Sequence, residues 1–377
     1  MSAHALPIIA GAGPTGKGAA LFLARAGIAA RIIDIAPEPS RQSKALAVNP
    51  RTLEVLEPTG VTEQMLAIGL KIRKACLRSG GKIVAELRFD QLSPKFPFML
   101  ALSQAVTERL LGEALAKLGR HVERGIGLAT CINSADGVQA DLQNQATGAT
   151  ERITCPWLLA ADGAHSAARR SLGVHFTGSN FDSPWYLADL PLRTSLEADT
   201  AHVIFVPGGF VFAIRVVSDD SPAHAETPLW RVISSLPNPV EQLKDAEPAG
   251  QPVWESSFHI AHRINEHLQV GSVYFAGDAA HVHSPLGARG MNLGLEDAWV
   301  FAQLAASNQL ARYGELRKRV DGRVVRRIEQ ISRMVVSDSI AMRLIRKLFA
   351  HWGLKIPLVR RQFMRTAGGL DHPLALR

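Results

Sequence analysis

The sequence predicts an α/β fold in which a doubly wound parallel sheet carries an inserted, mostly antiparallel sheet and is followed by C-terminal helices. Two observations predict the parallel sheet: a strand–turn–helix–strand unit near the N-terminus, and two later apolar strands that each end in a glycine–aspartate pair. A third observation, a run of strand-like segments between residues 174 and 260, predicts the inserted sheet.

The bulk composition is that of an ordinary folded protein. The 377 residues are enough for two domains, and 47% of them are hydrophobic. We expect no secretory leader in the first six residues, and no membrane span, because no uncharged run approaches the required length of about 18 residues. Cys76, Cys131 and Cys155 lie far apart and outside metal-binding spacings, which favours a reducing cytoplasm over a disulfide framework or a zinc site.

The net charge of +8 is concentrated in one segment. Residues 312–365 contain 15 Lys and Arg against 4 Asp and Glu, so the rest of the chain is slightly acidic and we do not expect nucleic-acid binding. The stretch RLIRKLFAHWGLKIPLVRRQF in this tail is either a basic surface for a membrane or an acidic partner, or a pair of packed helices. We favour packed helices that bury Leu344, Leu348, Phe349 and Trp352.

The turn after the first strand, GAGPTGKG, fits two phosphate-binding patterns. Gly11, Gly13 and Gly16 match the G-x-G-x-x-G turn of dinucleotide-binding units, whereas Gly11, Gly16 and Lys17 match the first seven positions of the P-loop. Gly18 stands where the P-loop requires Ser or Thr to hold Mg²⁺. The turn therefore favours a dinucleotide over a nucleoside triphosphate.

The rest of this unit supports the same interpretation. The helix after the turn buries Ala20, Leu21 and Leu23 and leads to a second strand that ends at Asp34. A carboxylate there can accept hydrogen bonds from both hydroxyls of an adenosine ribose. Because a crossover between parallel strands is right-handed, the unit predicts a Rossmann-like sheet, and we expect Lys17 on the surface of the helix.

The following segments alternate between helix and strand patterns. NPRTLEVLEPTGV and LSQAVTERLLGEALAKLG predict helices, the second capped by Ser103, whereas RSGGKIVAELRFD predicts a strand pair. AHVIFVPGGFVFAIRVV predicts a hairpin around Pro207, Gly208 and Gly209. We predict a parallel-sheet domain in three parts, at residues 1–78, 101–173 and 266–311. A substrate-binding sheet in two parts would occupy residues 79–100 and 174–265. Basic C-terminal helices would occupy residues 312–377.

Two later strands end in carboxylates, like the one that ends at Asp34. CPWLLAADGAHSAARRSLG places Asp162 and Gly163 after an apolar strand, and VYFAGDAAHVHSP places Gly277 and Asp278 after another. Open α/β sheets bind ligands at the carboxyl ends of their strands. We therefore expect the three strand ends to border one crevice.

These motifs together resemble a known family. GAGPTG, Asp34, ADGAHSAAR and GDAAHVHSPLGARGMNLGLEDA, in this order, are similar to the single-component FAD-dependent aromatic hydroxylases, which are the para-hydroxybenzoate hydroxylase-like and polyketide hydroxylase-like flavoprotein monooxygenases. The resemblance covers residues 7 to about 330. It implies that the first turn binds the pyrophosphate of a non-covalent FAD, that Asp162 and Gly163 serve FAD and the nicotinamide donor, and that Asp278 holds the ribityl chain.

The resemblance also assigns a full set of cofactor contacts. Relatives usually have G-G-Q-G where this chain has Gly287–Gly290, and an arginine where it has Lys44. The implied contact of Leu128 is through its backbone, and Pro285 would also face the substrate. The implied cofactor-binding residues are Gly11, Gly13, Pro14, Thr15, Gly16, Asp34, Arg41, Lys44, Gln104, Leu128, Asp162, Gly163, Gly277, Asp278, Pro285, Gly287, Ala288, Arg289, Gly290, Met291 and Asn292.

The last motif supports an anion site on physical grounds as well. SPLGARGMNLGLEDAWVFAQL predicts a helix that begins near Gly290, so the backbone N–H groups of Gly290, Met291 and Asn292 have no acceptor within the helix. These amides and the positive end of the helix dipole stabilise negative charge. A reduced flavin is anionic at N1 and C2=O, and we expect this helix to receive it.

Other combinations near the motif predict less. His281 and His283, with Asp278, imitate an H-x-H metal site, but we expect structural histidines and no metal. Ser284 lacks the G-x-S-x-G context of a hydrolytic nucleophile.

The inserted sheet contains several aromatic residues whose role the sequence leaves open. Phe205, Phe210, Phe212, Trp230 and Arg231 either line an aromatic pocket or form the core of the sheet. The candidate substrate contacts are Phe205, Phe212, Trp230 and Pro285.

The resemblance implies the reaction. It is hydroxylation of a small phenolic or polyketide-like aromatic molecule with O₂ and with NADPH or NADH as transient electron donor, through a flavin C4a-hydroperoxide. We identify no catalytic side chain, because the flavin supplies the oxygen chemistry. The alternative is an FAD-dependent dehydrogenase or reductase on the same scaffold without hydroxylation. We expect a monomer or homodimer, and no thioredoxin-like C-terminal domain.

Overall fold

The computed structural model describes residues 6–40, 44–181, 183–244, 246–336, 353 and 356–374, so Arg41 and the predicted buried residues of the 344–352 stretch lie outside the described residues. The strands are β1 Ile8–Ala10, β2 Arg31–Asp34, β3 Ala47–Val48, β4 Leu70–Ile72, β5 Lys74–Ser79, β6 Lys82–Arg88, β7 Met99–Ala101, β8 Val122–Arg124, β9 Ile126–Ser134, β10 Gly137–Asn144, β11 Thr150–Cys155, β12 Leu158–Ala160, β13 Phe176–Asn180, β14 Trp185–Thr194, β15 Thr200–Val206, β16 Gly209–Arg215, β17 Leu229–Ser234, β18 Ala246–Pro248, β19 Trp254–Phe258, β20 Ala261–Asn265, β21 Gln269–Val270, β22 Val273–Phe275 and β23 His281–Val282. The α-helices are α1 Pro14–Arg25, α2 Pro50–Leu56, α3 Val61–Ile68, α4 Gln104–Lys117, α5 Ala167–Ser171, α6 Gly290–Ala306, α7 Tyr313–Val336 and α8 Pro357–Ala367.

The main sheet has six strands in the order β21-β22-β12-β1-β2-β8. β1 lies in the middle and pairs in parallel with β2 on one side and β12 on the other, while β21 joins the edge antiparallel to β22. The carboxyl ends of β1, β2, β12 and β22 therefore meet at one edge of the sheet. This confirms the predicted parallel sheet and its N-terminal βαβ unit.

The two faces of the main sheet are covered by different layers. Side chains alternate along β1, so that Ile9 packs in one core with α1, α4 and α6, whereas Ile8 and Ala10 pack in another. The second core is closed by the antiparallel sheet β9–β11, which contributes Val138, Ala140 and other apolar residues. An antiparallel sheet thus takes the place that helices occupy in a doubly wound fold covered by helices on both faces.

A second, mostly antiparallel sheet has eight strands in the order β18-β14-β17-β16-β15-β5-β6, with β19 paired to β14. The predicted hairpin is its β15–β16 pair, in which Phe205 lies opposite Phe210. The predicted strand pair is β5–β6, and it joins this sheet through a parallel pairing with β15. Because β5 begins at Lys74, the predicted boundary at residue 78 falls inside a strand, and the division into domains stays a prediction.

The helices begin where the sequence predicts. Ser103 caps α4 through a hydrogen bond that its Oγ accepts from the N–H of Val106 at 3.3 Å. The described part of the basic segment 312–365 contains α7 and most of α8, and Met364 of α8 is buried. Among the helices of the described ranges, none combines the length and the apolar composition that crossing a bilayer requires.

Candidate cofactor site

In the first glycine turn, two glycines have no room for a side chain and the third has room for one. Gly11 has a φ of +97°, and a Cβ there would lie 2.2 Å from the carbonyl oxygen of Ala161. A Cβ on Gly16 would lie 1.9 Å from the carbonyl oxygen of Gly11, whereas nothing lies within 4 Å of one on Gly13. The turn therefore packs tightly on the sheet and exposes backbone at Gly13, which is the kind of cradle that a pyrophosphate needs.

Thr15 brings this first turn into contact with α6 and with the turn at Gly277 and Asp278, which we call the glycine–aspartate turn. A Cβ on Gly277 would lie 2.5 Å from the Oγ1 of Thr15, and one on Gly294 would lie 2.3 Å from it. Pro14 begins α1 at a position where its missing N–H leaves no hydrogen bond unmade. Segments far apart in the sequence thus meet at the carboxyl edge of the main sheet, as predicted.

Asp34 lies at the end of β2, and its carboxylate stabilises the first turn. Its Oδ2 accepts a hydrogen bond from the N–H of Ala12 at 2.6 Å, and its Oδ1 accepts one from the N–H of Ala36 at 2.8 Å. Arg124, at the end of β8, lies 3.5 Å from Oδ1. The carboxylate is in the predicted place, and it orders the turn in addition to any contact with a ribose.

Three further predicted contacts lie on segments that border the same edge. Gln104 accepts a hydrogen bond from the N–H of Ala45 at 3.2 Å. Lys44 is exposed, and its charge lies near enough to Asp278 to oppose the burial that raises the pKa of that carboxyl. The side chain of Leu128 packs in the core beneath the sheet, so only its backbone is left for a cofactor.

The prediction that Lys17 lies on the surface of α1 is wrong. Lys17 is 3% exposed, and its Nζ donates a hydrogen bond to the carbonyl oxygen of Glu108 at 3.0 Å. The Glu108 carboxylate lies 3.5 Å from the same atom, and burial lowers the pKa of Lys17 while Glu108 raises it. The position faces α4 rather than solvent, and the buried Glu108 carboxylate compensates the charge of Lys17.

Asp162 and Gly163, which follow β12 and which we call the D-G stretch, include one polar atom without a hydrogen-bond partner. The Oδ2 of Asp162 accepts hydrogen bonds from the N–H groups of Ala167 and Ala168 at 2.8 and 3.3 Å, and its Oδ1 is buried without a hydrogen-bond partner among the described residues. Burial raises the pKa of Asp162. Gly163 beside it has a φ of +79° and open space where a Cβ would be. The strand end thus holds one buried oxygen without a partner and, at Gly163, open space beside the backbone.

Arg169 joins the D-G stretch to the glycine–aspartate turn. Its guanidinium donates hydrogen bonds to the carbonyl oxygens of Ala164 and Ala279, one in each segment. The same group lies 4.1 Å from the centre of the Phe176 ring. Arg169 is buried, and its hydrogen bonds to both segments fix the relative position of the two strand ends.

Asp278 is exposed on the glycine–aspartate turn. Its side chain is accessible, yet the surrounding protein withdraws it from bulk water and raises its pKa, while the charges of His281 and Lys44 lower it. The exposed carboxylate at this strand end can accept hydrogen bonds from the hydroxyls of a polyol.

A buried ion network supports this turn. The Oδ2 of Asp297 accepts hydrogen bonds from the N–H of Gly277 at 2.9 Å and from the Nε2 of His281 at 2.8 Å. Burial alone would lower the pKa of His281, but the carboxylates of Asp297 and Asp321 raise it to about 9. Arg317 binds Asp297 and Asp321 at 2.6 Å each. His281 and the two carboxylates lie close enough to hold a metal ion, but Arg317 already supplies their positive charge.

His283 lies apart from this network. Its Nδ1 is 2.9 Å from the carbonyl oxygen of Ser284, and burial lowers its pKa to about 3. The hydroxyl of Ser284 is 2.6 Å from that of Ser332 on α7. These contacts support the structural interpretation of the H-x-H pattern, and they give Ser284 no base of a hydrolytic triad.

The segment before α6 has an unusual backbone. Gly287 and Ala288 have φ values of +80° and +52°, and the second is costly for a residue with a Cβ. The Nδ2 of Asn292 donates hydrogen bonds to the carbonyl oxygens of Ala288 and Ala47 at 2.6 and 2.8 Å, which holds the turn. The first-turn N–H groups, from Gly290 to Asn292, have no acceptor within the helix and point out of its N-terminus. They are the donors that we predicted for an anion.

The structure turns the side chain of Arg289 away from this helix end. It is 1% exposed, and its Nη1 donates a hydrogen bond to the carbonyl oxygen of Thr366 at 2.9 Å. Asp371 lies 3.5 Å from the same atom. Of the residues predicted for FAD, Arg289 is therefore one that can act only through its backbone or through the position of its neighbours.

The predicted substrate contacts divide between the two faces of the eight-stranded sheet. Phe205 and Phe212 are half-buried and pack in one cluster with Leu286, which follows the exposed Pro285. Trp230 is 1% exposed and packs on the opposite face. Successive side chains of a strand point to opposite faces, so the same alternation that brings Phe212 toward Leu286 turns Trp230 away. The interpretation of Trp230 as a substrate contact is therefore wrong, and the alternative of a core residue holds for it.

Arg231 makes a contact that the sequence did not predict. It binds Asp189 through two hydrogen bonds of 2.7 and 2.6 Å, and it donates another to the carbonyl oxygen of Lys44 at 2.6 Å. The pair is buried, so it links the eight-stranded sheet to the segment that borders the cofactor edge. Residues of separate strands and loops make this contact, and no local spacing signals it. The same is true of Arg124 and Glu108.

Comparison with known proteins agrees with this architecture. The sequence model of the family described as "FAD binding domain" matches residues 5–328. The 6-methylpretetramide 4-monooxygenase of Streptomyces rimosus is 36% identical over 310 residues, which are 78% of this chain and 54% of that protein. The pentachlorophenol 4-monooxygenase of Sphingobium chlorophenolicum is 29% identical over 79% of this chain and 57% of its own length. The chain thus spans a little over half the length of these curated relatives.

Solved structures show the same fold. The p-nitrophenol 4-monooxygenase PnpA of Pseudomonas putida DLL-E4 superposes with a TM-score of 0.85 and 20% identity, over 98% of this chain and 99% of that one. The OxyS anhydrotetracycline hydroxylase of Streptomyces rimosus superposes with a TM-score of 0.75 and 24% identity, over 97% of this chain and 76% of that one. The chain belongs to the FAD-binding domain family, and its cofactor is FAD.

Proposed function

We propose that the protein is a monooxygenase that uses FAD, O₂ and NADPH or NADH to hydroxylate a small phenolic or polyketide-like aromatic molecule. The observation that carries the proposal is the meeting of three strand ends with the open N-terminus of α6. The open backbone at Gly13, the unpartnered oxygen of Asp162 and the accessible carboxylate of Asp278 suit the successive polar parts of one FAD. Relatives named as monooxygenases of aromatic compounds support it.

When bound, the FAD supplies electron storage and the activation of oxygen. The chain's own residues would bind and orient it. The first-turn amides of α6 would receive negative charge at the pyrimidine side of the ring, because they are unsatisfied donors at the positive end of a helix. Asn292 holds these amides in place through its bonds to Ala47 and Ala288. No side chain near this helix end is required as an acid or base.

The substrate would bind between the 285–288 segment and the eight-stranded sheet. Phe205, Phe212 and Leu286 share an apolar cluster there. The guanidinium of Arg231 on the same face is neutralised by Asp189, so the residues that the structure describes on this face favour an apolar aromatic ring over an anion. An apolar wall also excludes water from the reacting atoms.

The electron donor would bind beside the D-G stretch. A cavity of about 580 Å³ opens there, and its lining includes His165, Arg169, His259 and Arg263. Cationic and imidazole groups around one groove suit the phosphates of a nicotinamide dinucleotide. The Nε of Arg263 donates a hydrogen bond to Asn180, and the side chain is only partly buried. Arg263 is therefore the cation that is available to a ligand at the least structural cost.

We predict that Arg263→Ala raises the KM for NADPH or NADH about tenfold and leaves FAD affinity unchanged, because it removes one charge-assisted phosphate contact. Steady-state kinetics with both donors and a fluorescence titration of FAD measure the two effects. Arg319→Ala, which removes an exposed arginine on α7, is the matched control. An unchanged KM for both donors would show that the electron donor does not bind in this cavity.

The direct test of the proposed function is a product assay. Purified protein with FAD is incubated with NADPH or NADH, phenols and polycyclic aromatic ketones under ¹⁸O₂, and the products are analysed by mass spectrometry. The proposal predicts a product that contains one atom of ¹⁸O. Oxidation of the donor that yields only hydrogen peroxide with every compound would favour the dehydrogenase or reductase alternative.

The setting of the protein is also a proposal. We propose a cytoplasmic protein that acts as a monomer or homodimer, with no nucleic-acid partner. Its cysteines are buried: burial raises the pKa of Cys131 to about 12 and that of Cys155 to about 11, so neither is a reactive thiolate at neutral pH. Size-exclusion chromatography with light scattering measures the oligomeric state.

A further inference from the structure

Residues 356–374, which we call the strap, pass across the part of the fold where α2, α6 and α7 meet. The strap consists of α8 and the loop that follows it. The family match ends at residue 328, before the strap begins. Its contacts nevertheless reach the segment before the N-terminus of α6, which is the proposed site of the flavin ring.

The strap is held at several independent points. Arg51 of α2 donates hydrogen bonds to the carbonyl oxygens of Gly369 and His372 at 3.2 and 2.8 Å. The Nε2 of His372 is 2.6 Å from a carboxylate oxygen of Glu296 on α6. Arg327 of α7 binds the Asp371 carboxylate at 2.8 Å. Three helices thus fix the strap, and its loop is largely buried against them.

The fixed strap in turn holds Arg289. The Nη1 of Arg289 donates a hydrogen bond to the carbonyl oxygen of Thr366 at 2.9 Å and lies 3.5 Å from a carboxylate oxygen of Asp371. Gly369 leaves room for this guanidinium, because a Cβ there would lie 3.1 Å from the same Nη1. A buried cation needs such partners, so the side chain has little freedom to leave.

Arg289 is directly joined to the strained turn. It follows Gly287 and Ala288, whose φ values of +80° and +52° are left-handed, and it precedes Gly290, the first residue of α6. A strained backbone persists only where its surroundings determine it from more than one side. Asn292 holds the turn from within the helix, and Arg289 anchors it from outside.

We propose that the strap, through Thr366 and Asp371, fixes Arg289 and so sets the direction in which the first-turn amides of α6 face the flavin. Arg289 and Asp371 are positioning residues in this proposal, which rests on the proposed FAD site. The strap controls cofactor binding without contacting the cofactor, because both side chains are buried and the guanidinium of Arg289 reaches the strap.

Two variants test the two sides of the contact. Arg289→Met keeps the aliphatic volume and removes the bonds to the strap, while Asp371→Asn weakens the anchor from the strap. The first readout is amide hydrogen exchange of residues 285–293 in the protein without FAD, taken relative to residues 104–117 of α4 in the same sample. The signal comes from the N–H groups of Ala288 and Leu293, which donate to the carbonyl oxygens of Pro285 and Arg289. We expect exchange to be about tenfold faster in Arg289→Met, as for the loss of one hydrogen bond from a charged group.

The second readout is the dissociation constant of FAD, measured by fluorescence. We expect Arg289→Met to weaken binding about tenfold, the equivalent of about 1.4 kcal/mol, and Arg289→Lys to recover part of the loss. Glu315→Gln, which removes an exposed ion pair on α7, is the control and should change neither readout.

The outcomes separate this proposal from the proposed function. If the unmodified protein does not bind FAD, the FAD site is wrong, but exchange in the free protein still tests the strap. Relative exchange of residues 285–293 that is unchanged in both Arg289→Met and Asp371→Asn overturns the proposal. If Arg289→Met does not fold, Asp371→Asn alone decides it, because this change preserves the volume of the side chain and removes its negative charge and one acceptor oxygen.

Discussion

The burial of Lys17 could not be predicted from its residue type. A lysine in the first turns of a helix is most often exposed, and the sequence offers no sign of Glu108, which is 91 residues away. In the structure the two are a buried pair between α1 and α4. The pair fixes the helix that carries the first turn against the helix that begins with Gln104.

We predict that Lys17→Met destabilises the protein by about 3 kcal/mol, because it leaves the Glu108 carboxylate buried without its cation. The double variant Lys17→Met, Glu108→Gln should recover more than half of the loss. Urea unfolding followed by circular dichroism gives both values. A single variant as stable as the unmodified protein would show that the pair contributes nothing to stability.

Other residues followed directly from the sequence. Gly11, Gly16, Asp34, Asp162 and Asp278 were predictable because each belongs to a strand–turn–helix pattern whose geometry is local. Trp230 was not, because composition alone does not tell which face of a strand a side chain occupies. That information comes from the register of the sheet, in which Trp230 lies opposite Leu190 and Arg215.

At the scale of elements, α1 and α6 pack unusually closely beside the cofactor edge. Gly294 of α6 lies against Thr15 of α1, and a Cβ on Gly294 would be 2.3 Å from the Thr15 Oγ1 and 3.1 Å from the Cα of Gly277. The helices can approach this closely because Gly294 lacks a side chain. Their close contact keeps the first turn and the glycine–aspartate turn together.

We predict opposite effects for two glycine-to-alanine changes in helices. Gly294→Ala should destabilise by about 2 kcal/mol through overpacking. Gly112→Ala on α4, where a Cβ would meet nothing within 4 Å, should stabilise by about 0.5–1 kcal/mol through helix propensity. Thermal unfolding of both variants measures the difference. Equal effects of the two changes would contradict the close contact.

The β9–β11 layer shows the limit of prediction for elements. The sequence predicted the parallel strands, since they are short apolar runs next to recognisable turns. It gave no reason to place an antiparallel sheet, rather than helices, on the second face. The choice depends on packing against Ile8 and Ala10, which is a long-range property of the fold.

At the scale of the whole molecule, the buried ions around Arg317 connect β23, α6 and α7. His281 is charged there at neutral pH because Asp297 and Asp321 outweigh its burial. Its pKa in the folded protein is about 9 and its ordinary value is 6.5, so the folded state holds a proton that the unfolded state releases between these values. This contribution to stability is complete below pH 6.5 and is lost as the pH rises through 9.

We predict that the free energy of unfolding falls by up to about 3 kcal/mol between pH 6.5 and pH 9, and that His281→Gln abolishes most of this dependence. Urea unfolding at several pH values within that window provides the measurement. His283→Gln is the control, because burial already holds the pKa of His283 near 3 and it carries no proton to lose. A slope that survives in His281→Gln would assign the proton to another group.

The ends of β1, β12 and β22 and the N-terminus of α6 border the proposed FAD site. The decisive experiment is titration of the protein with FAD, followed by flavin fluorescence and absorbance. We predict one FAD per chain, and binding about tenfold to a hundredfold weaker in Asp278→Asn but unchanged in Asp90→Asn, an exposed aspartate in the turn that follows β6. Failure of the unmodified protein to bind FAD, or equal affinity in Asp278→Asn, would contradict the account.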